Sequence, residues 1–285
     1  MNEATREAVE ALHKIVNEAE VGELSFPTSL DASRRVMKAV ENPDLGLSDL
    51  AKIVVAEPLL SAKVIRLSNS VALNPTNQTV RDVKHAVMRV GMDPIKSLAM
   101  VLIMDQLRQA QRHSGCRELS NRLWERSVHV AALSFVVARK LTKLNPDEAM
   151  FAGIVHDLGR FYLLSRAADY PALLEDQVTL AETINDLCDR ASTMVLNRLN
   201  LPESVVKAVA AASHYSGSMP PTTLGDLLFV AGALSPSADP FDELDSRVVA
   251  PENVAVMLGL NQSTVAEVVT ASGDEIYSIV IALES

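Results

Sequence analysis

The chain has 285 residues and a formal net charge of −10, and 48% of its residues are hydrophobic although only 4% are aromatic. This length allows one large domain or two modest ones, and an apolar fraction rich in alanine, valine and leucine favours packed helices over sheets. Because the charge is strongly negative, the surface should repel nucleic-acid phosphates and anionic lipid. Nucleic acid and membranes are therefore not predicted as partners.

The cysteines and the N-terminal segment favour a cytoplasmic protein. Cys116 and Cys188 form no CxxC pair and have no histidine at zinc-binding spacing, as expected for a reducing compartment. The first ten residues, MNEATREAVE, are polar and acidic, so they do not resemble a signal peptide. The longest apolar stretch, residues 128–138, is too short to span a bilayer.

Helix-capping signals recur along the chain, whereas the alternation typical of strands is absent. Asn145-Pro146 places a capping amide before a proline, and Thr179 with Glu182 has the spacing of a capping box. The acidic run at residues 241–245 is interpreted as a solvated loop. These patterns predict an all-α protein. The predicted helices span residues 3–20, 29–41, 48–56, 58–69, 80–90, 94–112, 119–142, 146–165, 180–199, 202–214, 222–235, 251–258 and 263–283.

Two amphipathic helices separated by a short loop carry the pattern LxxKxxRLxNS followed by VxDVxxAVxRVG. On the first helix, Lys63 is predicted to point to solvent. Asn69 and Ser70 end this helix, where the Asn69 amide can satisfy free carbonyls or cross-link to the following loop. Gly91 ends the second helix. We interpret Asn69, Ser70 and Gly91 as structural, because no nucleophile and base accompany them.

This pattern resembles the signature of the HDOD family, the HD-related output domains of bacterial signalling proteins. The family looks like an HD-type metal-dependent phosphohydrolase that has mostly lost its metal site. The stretch AGIVHDLGRF contributes an adjacent His156-Asp157 pair, which HD enzymes use to hold a cation. One departure is Glu57, where the family usually carries aspartate.

The resemblance implies an HD-like architecture of two packed helical lobes. Soft seams near residues 111–118 and 216–221 are predicted to separate its parts. The predicted parts are an N-terminal helix at 1–22, an HDOD domain at 23–215 with a signature lobe at 23–115 and an HD-like lobe at 116–215, and C-terminal helices at 216–285 that pack on the HD-like lobe.

An HD metal site, as the resemblance describes it, combines an early histidine, the His-Asp pair and a distal aspartate, since a divalent cation needs at least three or four ligands. His156 and Asp157 supply the pair, and adjacency on one predicted helix places them about 100° apart. Arg126 stands where the early histidine would be, and Gly232 stands at the distal aspartate. Neither residue supplies the expected ligand.

Two other histidines could complete the site. His129 lies about 60° from the apolar stripe of its predicted helix, and His214 lies near the end of a later helix, where related domains carry paired histidines. Without them, His156 and Asp157 are interpreted as remnants of a metal site. We therefore predict no cofactor and no stoichiometric metal.

Arg126 belongs to an apolar stripe on the predicted helix 119–142. The stripe consists of Leu123, Arg126, Val130, Leu133 and Val137. Arg126 should therefore point inward, and a buried guanidinium needs an acidic partner. Asp157 is the nearest acid that the motif places in the cleft. We predict an ion pair between Arg126 and Asp157, with His156 nearby.

Three hypotheses for the function follow from the resemblance. The favoured one is a non-catalytic signal-transduction protein that acts through contacts with other signalling proteins; homodimer formation is left open. The second is an HD-type nucleotide phosphohydrolase, which would need iron, manganese, zinc or magnesium and the help of His129 or His214. The third is a sensor that binds a nucleotide or cyclic dinucleotide in the cleft, where Arg126 and Arg160 could meet a phosphate.

Overall fold

Seventeen α-helices form the regular structure of residues 2–21, 31–42, 44–109, 114–248, 251–259 and 263–284, which a computed structural model describes. They are α1 (Glu3–Val21), α2 (Asp31–Val40), α3 (Leu47–Val55), α4 (Pro58–Ser68), α5 (Val83–Val90), α6 (Met92–Gln109), α7 (Ser114–Leu141), α8 (Pro146–Val155), α9 (Leu158–Ala167), α10 (Pro171–Glu175), α11 (Gln177–Arg198), α12 (Glu203–Ala211), α13 (Leu224–Ala233), α14 (Pro240–Leu244), α15 (Pro251–Met257), α16 (Thr264–Ala271) and α17 (Gly273–Glu284). No strand occurs within these ranges, so the all-α prediction is confirmed. None of the described helices combines the length and the apolar character needed to cross a bilayer.

The longest helix, α7, lies at the centre of the fold. It packs against α6, α8, α9, α13 and α17. The stripe of α7 that was predicted to face inward does so, because all five of its residues are buried, Arg126 included. The centre of the fold therefore holds a guanidinium among apolar side chains.

The signature pattern forms α4 and α5, and Asn69 at the end of α4 binds the following loop, as predicted. The Asn69 amide nitrogen donates to the Ile65 carbonyl at 3.0 Å and to the Val80 carbonyl at 2.7 Å. The amide oxygen accepts from the Val80 N–H at 2.8 Å. Gly91 ends α5 with a φ of 83°, a left-handed conformation that glycine adopts at little cost. Arg89 adds bonds from α5 to the Ser68 and Gln78 carbonyls, so Asn69 and Arg89 together hold the loop between α4 and α5.

Lys63 was predicted to face solvent, and this prediction is wrong. The side chain is buried, and its Nζ donates to the Leu283 carbonyl at 2.7 Å, in the last turn of α17. A lysine near a helix C-terminus satisfies a carbonyl that has no partner within the helix. Since α17 also packs against α7, the last helix contacts both predicted lobes.

The predicted lobe boundaries stay a prediction, as does the placement of the C-terminal helices on the HD-like lobe. At the other end of the chain, α1 packs against α9, α10 and α11. The predicted helix start at residue 29 and the predicted helix end at residue 112 lie outside the described residues.

The predicted helix 146–165 is interrupted at its motif. It forms two helices, α8 and α9, and His156 and Asp157 lie in the turn between them. The prediction that the pair sits on one continuous helix is therefore wrong. As Asn145-Pro146 predicted, α8 begins with a cap: the Asn145 amide oxygen accepts from the backbone N–H of Asp147 at 2.9 Å.

Two glycines beside the motif allow close packing of its helices. A Cβ at Gly153 would lie only 2.6 Å from the Ala131 Cα on α7, and a Cβ at Gly159 would lie 2.5 Å from the Ser192 nitrogen on α11. Real Cβ atoms do not approach other atoms so closely. The glycines thus let α8 reach α7 and α9 reach α11, which positions the His-Asp turn between these two long helices.

Candidate functional site

The turn between α8 and α9 faces a cavity of about 420 Å³. Residues of α7, α9, α11, α12 and α13 line it, together with side chains of α14 and α15. The residues that matter most to its chemistry are Arg126, His156, Arg160, Asn185, Gly232 and Asp242. The two arginines are the only lysine or arginine side chains among the lining residues that the structure describes.

Asp157 lies behind this cavity and is fully buried. Its Oδ1 is 3.2 Å from the Arg160 guanidinium, and its Oδ2 is 3.0 Å from His156 Nε2. Oδ2 also accepts from the Ser127 hydroxyl at 3.3 Å. Burial alone would raise the pKa of Asp157, but the charges of His156, Arg126 and Arg160 together hold that pKa well below its usual range. Asp157 is therefore an ionised carboxylate.

Arg126 forms its ion pair with Asp239 and not with Asp157, so the predicted partner of Arg126 is wrong. The Arg126 Nε lies 3.5 Å from Asp239 Oδ2, and Asp239 is fully buried. Asp157 instead forms an ion pair with Arg160, which lies three residues later, on α9. The inward orientation of Arg126 on α7 is as predicted, with 8% of the residue exposed.

Asp239 reaches the cleft because residues 240–244 form a helix, α14, and not the expected solvated loop. Its Oδ1 caps this helix by accepting from the Phe241 N–H at 2.9 Å. Its Oδ2 lies between the two guanidiniums, 3.5 Å from Arg126 Nε and 3.4 Å from Arg160. The signal was present in the sequence, since Asp239-Pro240 repeats the cap-then-proline pattern of Asn145-Pro146.

Arg160 is the centre of the charge cluster. Besides Asp157 and Asp239, its guanidinium donates to the Asn185 amide oxygen at 3.2 Å and to Asp242 Oδ1 at 3.4 Å. Burial, and next the negative charge of Asp239, raise the pKa of Asp242 to about 6. Arg160 thereby connects α9 with α11 and α14.

Arg126 and Gly232, which stand where an HD enzyme has its early histidine and its distal aspartate, lie next to each other. A Cβ at Gly232 would lie 3.2 Å from Arg126 NH2, which is tighter than ordinary van der Waals contact. A longer side chain at this position would collide with the guanidinium. Arg126 thus lies against the helix position from which an HD enzyme would extend its distal aspartate.

His129 and His214 are not among the residues that line the cavity. His129 is half-buried, and its Nδ1 is 2.8 Å from the Glu125 carbonyl and 3.4 Å from the Ser237 hydroxyl. His214 is exposed beside the Ser213 hydroxyl. Neither lines the cavity. Within the described ranges, no group of three or more histidine, cysteine or acidic side chains is arranged to hold a metal ion.

The side-chain atoms of the His-Asp turn that could ligate a cation have protein partners. The His156 Nδ1 donates to the Gly153 carbonyl at 2.6 Å, and Asp157 is shared by Arg160, His156 and Ser127. Asn69, Ser70 and Gly91 belong to the signature half, and none of them lines this cavity. Ser70 is buried, and its hydroxyl finds no hydrogen-bond partner among the described residues.

The fold and the site together define a helical, HD-like protein in which arginines occupy the cleft of the His-Asp turn. The HDOD domain family model matches residues 26–215, which is most of the chain, and the protein belongs to this family.

Solved structures and a curated relative extend this finding. A protein from Shewanella amazonensis SB2B, provisionally named a metal-dependent phosphohydrolase, has 22% identity and a TM-score of 0.73, over 97% of this chain and 99% of that one. A provisionally named signal transduction protein from Marinobacter aquaeolei VT8 has 18% identity and a TM-score of 0.60, over 99% of this chain and 66% of that one. At these identities the likeness shows the fold.

A curated relative from Treponema pallidum (strain Nichols), an uncharacterized protein, is 25% identical over 191 residues. The match covers 61% of this chain and 35% of the relative's length. The chain thus spans only about a third of that relative.

Proposed function

We propose that this chain is a regulatory HDOD protein that acts through contacts with other signalling proteins and has no hydrolytic activity of its own. The proposal rests on Arg126, whose guanidinium lies against Gly232 in the cleft of the His-Asp turn. A divalent cation in this cleft would be repelled by the buried guanidinium, and the repulsion is strong because the protein interior screens charge poorly.

The carboxylates of the cleft are also occupied. Asp157 is engaged by Arg160 and His156, and Asp239 lies between Arg126 and Arg160. A metal would have to displace these partners, and each guanidinium would then be a buried charge without its carboxylate. The ion pairs thus fill the structural role that a coordinated cation has in an HD enzyme, namely to join separate helices.

Family membership supports the regulatory part of the proposal. HDOD domains are typical of bacterial signalling proteins. One structural relative of this chain is provisionally named a signal transduction protein. The net charge of −10 favours protein partners over nucleic acid, and the spacing of Cys116 and Cys188 favours a reducing, cytoplasmic location. The phosphohydrolase hypothesis needs His129 or His214 as a ligand, and neither residue lines the cavity.

Elemental analysis and phosphoesterase assays test the proposal directly. We expect purified protein to contain no stoichiometric iron, manganese, zinc or magnesium, and to hydrolyse neither p-nitrophenyl phosphate nor nucleotides above background. Near-equimolar metal that is lost together with activity in a His156→Ala variant would overturn it.

A gain-of-ligand variant sharpens this test. The double variant Arg126→His with Gly232→Asp removes the guanidinium and restores both residue types that the HD pattern requires. We expect it to bind more manganese or zinc than the wild type does. The matched control is His129→Ala, because His129 lies on the same helix but does not line the cavity. It should leave the metal content unchanged.

A further inference from the structure

Arg126 is buried, yet it makes no hydrogen bond with any residue that the structure describes. Its Nε and NH1 groups are enclosed donors without an acceptor. Its one ion-pair contact within the described ranges is Asp239, at 3.5 Å. A guanidinium presents five N–H donors in a planar fork, and buried donors are nearly always paired. Arg126 therefore retains donor capacity that the surrounding side chains do not use.

Arg126 is one of the residues that line the cavity of about 420 Å³. The cavity has a polar part and an apolar part. The polar part is formed by Arg126, His156, Arg160, Asn185, Ser192 and Asp242. The apolar part includes Val209, Leu228, Phe229, Ala233 and Val254. Apolar walls with a few polar groups are typical of small-molecule sites, and the volume lies in their usual range.

The two arginines of the cavity differ in how far they are neutralised. Arg160 contacts three carboxylates, those of Asp157, Asp239 and Asp242. Arg126 has a single contact, and Asp239 shares it with Arg160. Arg126 thus has fewer carboxylate partners than Arg160, and a guanidinium can form a charge-assisted hydrogen bond with an oxyanion.

The same charges limit how negative a ligand can be. Three carboxylates surround the two guanidiniums, and Asp189 also lines the cavity. Each negative charge on a ligand would be repelled by these carboxylates, so an anion that pairs with Arg126 is repelled least when it carries a single charge. A cyclic dinucleotide carries two phosphodiester charges and fits this balance less well than a ligand with one.

We propose that the cavity binds a small molecule with a single oxyanion, a carboxylate or a phosphodiester, attached to an apolar or planar body. The oxyanion pairs with Arg126, and the body packs against Phe229 and Leu228. Phe229 is held in place by stacking on Tyr215, with ring centroids 5.0 Å apart. This inference goes beyond the proposed function, because a regulator without a ligand would still satisfy that proposal.

Isothermal titration calorimetry with defined probes tests the inference. The phosphodiester arm uses 3′,5′-cyclic AMP and 3′,5′-cyclic GMP, and the carboxylate arm uses benzoate and indole-3-acetate. Adenosine, which has no charge, and AMP, which is more highly charged, serve as charge controls. We expect at least one singly charged probe to bind, and adenosine and AMP to bind more weakly than the cyclic nucleotides if the phosphodiester arm is the one that binds.

Variants assign the binding to the cavity. Arg126→Gln should weaken it about tenfold or more, since a charged hydrogen bond is lost. Arg122→Gln is the matched control, because Arg122 lies one turn away on α7, is half-buried outside the cavity lining and pairs with Glu243. Phe229→Ala leaves the charge cluster intact and should also weaken binding. It remains informative if Arg126→Gln fails to fold, which circular dichroism would reveal.

Two results would overturn the inference. One is the absence of binding by all four singly charged probes at millimolar concentration. The other is binding that Arg126→Gln and Phe229→Ala leave unchanged. Metal content and phosphoesterase activity are measured separately, so failure of this inference is distinguishable from failure of the proposed function.

Discussion

The loop closed by Asn69 and the cluster around Arg160 are both polar sites inside the fold, but they differ in how well their groups are satisfied. The nitrogen and the oxygen of the Asn69 amide make three hydrogen bonds to backbone groups of Ile65 and Val80. In the cluster, Arg126 and Asp239 Oδ2 have ion-pair contacts but no hydrogen-bond partner among the described residues.

This difference separates a structural site from a functional candidate. A polar group that is fully paired with backbone stabilises one conformation, and nothing remains for a ligand to bind. A charged group that is buried with unused donors costs stability, and such a cost is often found at sites with a function. The comparison predicts that substitutions in the two regions will differ in size and in kind.

The largest effect is expected at Arg160. The variant Arg160→Met leaves Asp157, Asp239 and Asp242 without their shared guanidinium, and losing one partner of a buried ion pair typically costs about 3–5 kcal/mol. The free energy of unfolding from denaturant titration measures this cost. The control Arg122→Met removes an exposed pair and should cost about 1 kcal/mol or less. An equal loss in both variants would contradict the central role of Arg160.

A smaller loss is expected at Asn69. The variant Asn69→Ala leaves the Val80 N–H and C=O without their partner, so we expect a loss of about 2 kcal/mol in the free energy of unfolding. Asn74→Ala is the control, because Asn74 accepts one exposed hydrogen bond from Gln78 in the same loop. If the two variants were equally stable, Asn69 would not be the residue that closes the loop.

The raised pKa of Asp242 should make the free energy of unfolding depend on pH. Its pKa of about 6 in the folded protein exceeds the ordinary value of 3.8, so the folded state binds a proton that the unfolded state releases, and stability falls as pH rises from about 4 to about 6. Asp242→Asn removes this loss. We expect the variant to be more stable than wild type at pH 7, and the difference to shrink to nothing near pH 4.

Thermal and denaturant unfolding at several pH values measure this difference. The control Glu243→Gln removes an exposed carboxylate from the same helix and should change stability by about 0.5 kcal/mol or less across the range. A stability difference between Asp242→Asn and wild type that stays constant from pH 4 to pH 7 would show that Asp242 is not protonated in the cluster.

The smallest effect is expected at Arg126, although it is also a buried arginine. Removing it in Arg126→Leu leaves Asp239 with Arg160 as a partner, so no carboxylate becomes unpaired. Replacing a poorly paired buried charge by an apolar side chain is often close to neutral. We expect the free energy of unfolding to change by less than about 1 kcal/mol. A loss as large as that of Arg160→Met would mean that Arg126 is a structural residue.

Much of the fold was predictable because helix caps and apolar stripes are local signals. Asn145 caps α8, and the stripe of α7 faces inward, as the sequence indicated. Gly91 ends α5 for the same local reason. These features depend on residues within a few positions of each other, and the helical period relates them directly to the structure.

The site was less predictable because its contacts join distant segments. Nothing near Arg126 or Lys63 shows that Asp239 or the Leu283 carbonyl will lie beside it. The acid run after Asp239 resembled a solvated loop, although Asp239-Pro240 carried a readable cap signal. The break at His156 and Asp157 was hidden too, because the apolar pattern continues from α8 into α9.

Because Lys63 contacts the Leu283 carbonyl, chemical labelling of the Lys63 amine can report whether α17 is docked on α4. Burial lowers the pKa of Lys63 to about 8, so its amine loses its proton more readily than an ordinary lysine. While α17 stays in place, the amine is enclosed and should react slowly with acylating reagents. If α17 detaches from α4, labelling of Lys63 should accelerate. Mass spectrometry of pulse-labelled protein would then report the movement of one end of the molecule at a residue of its signature helix.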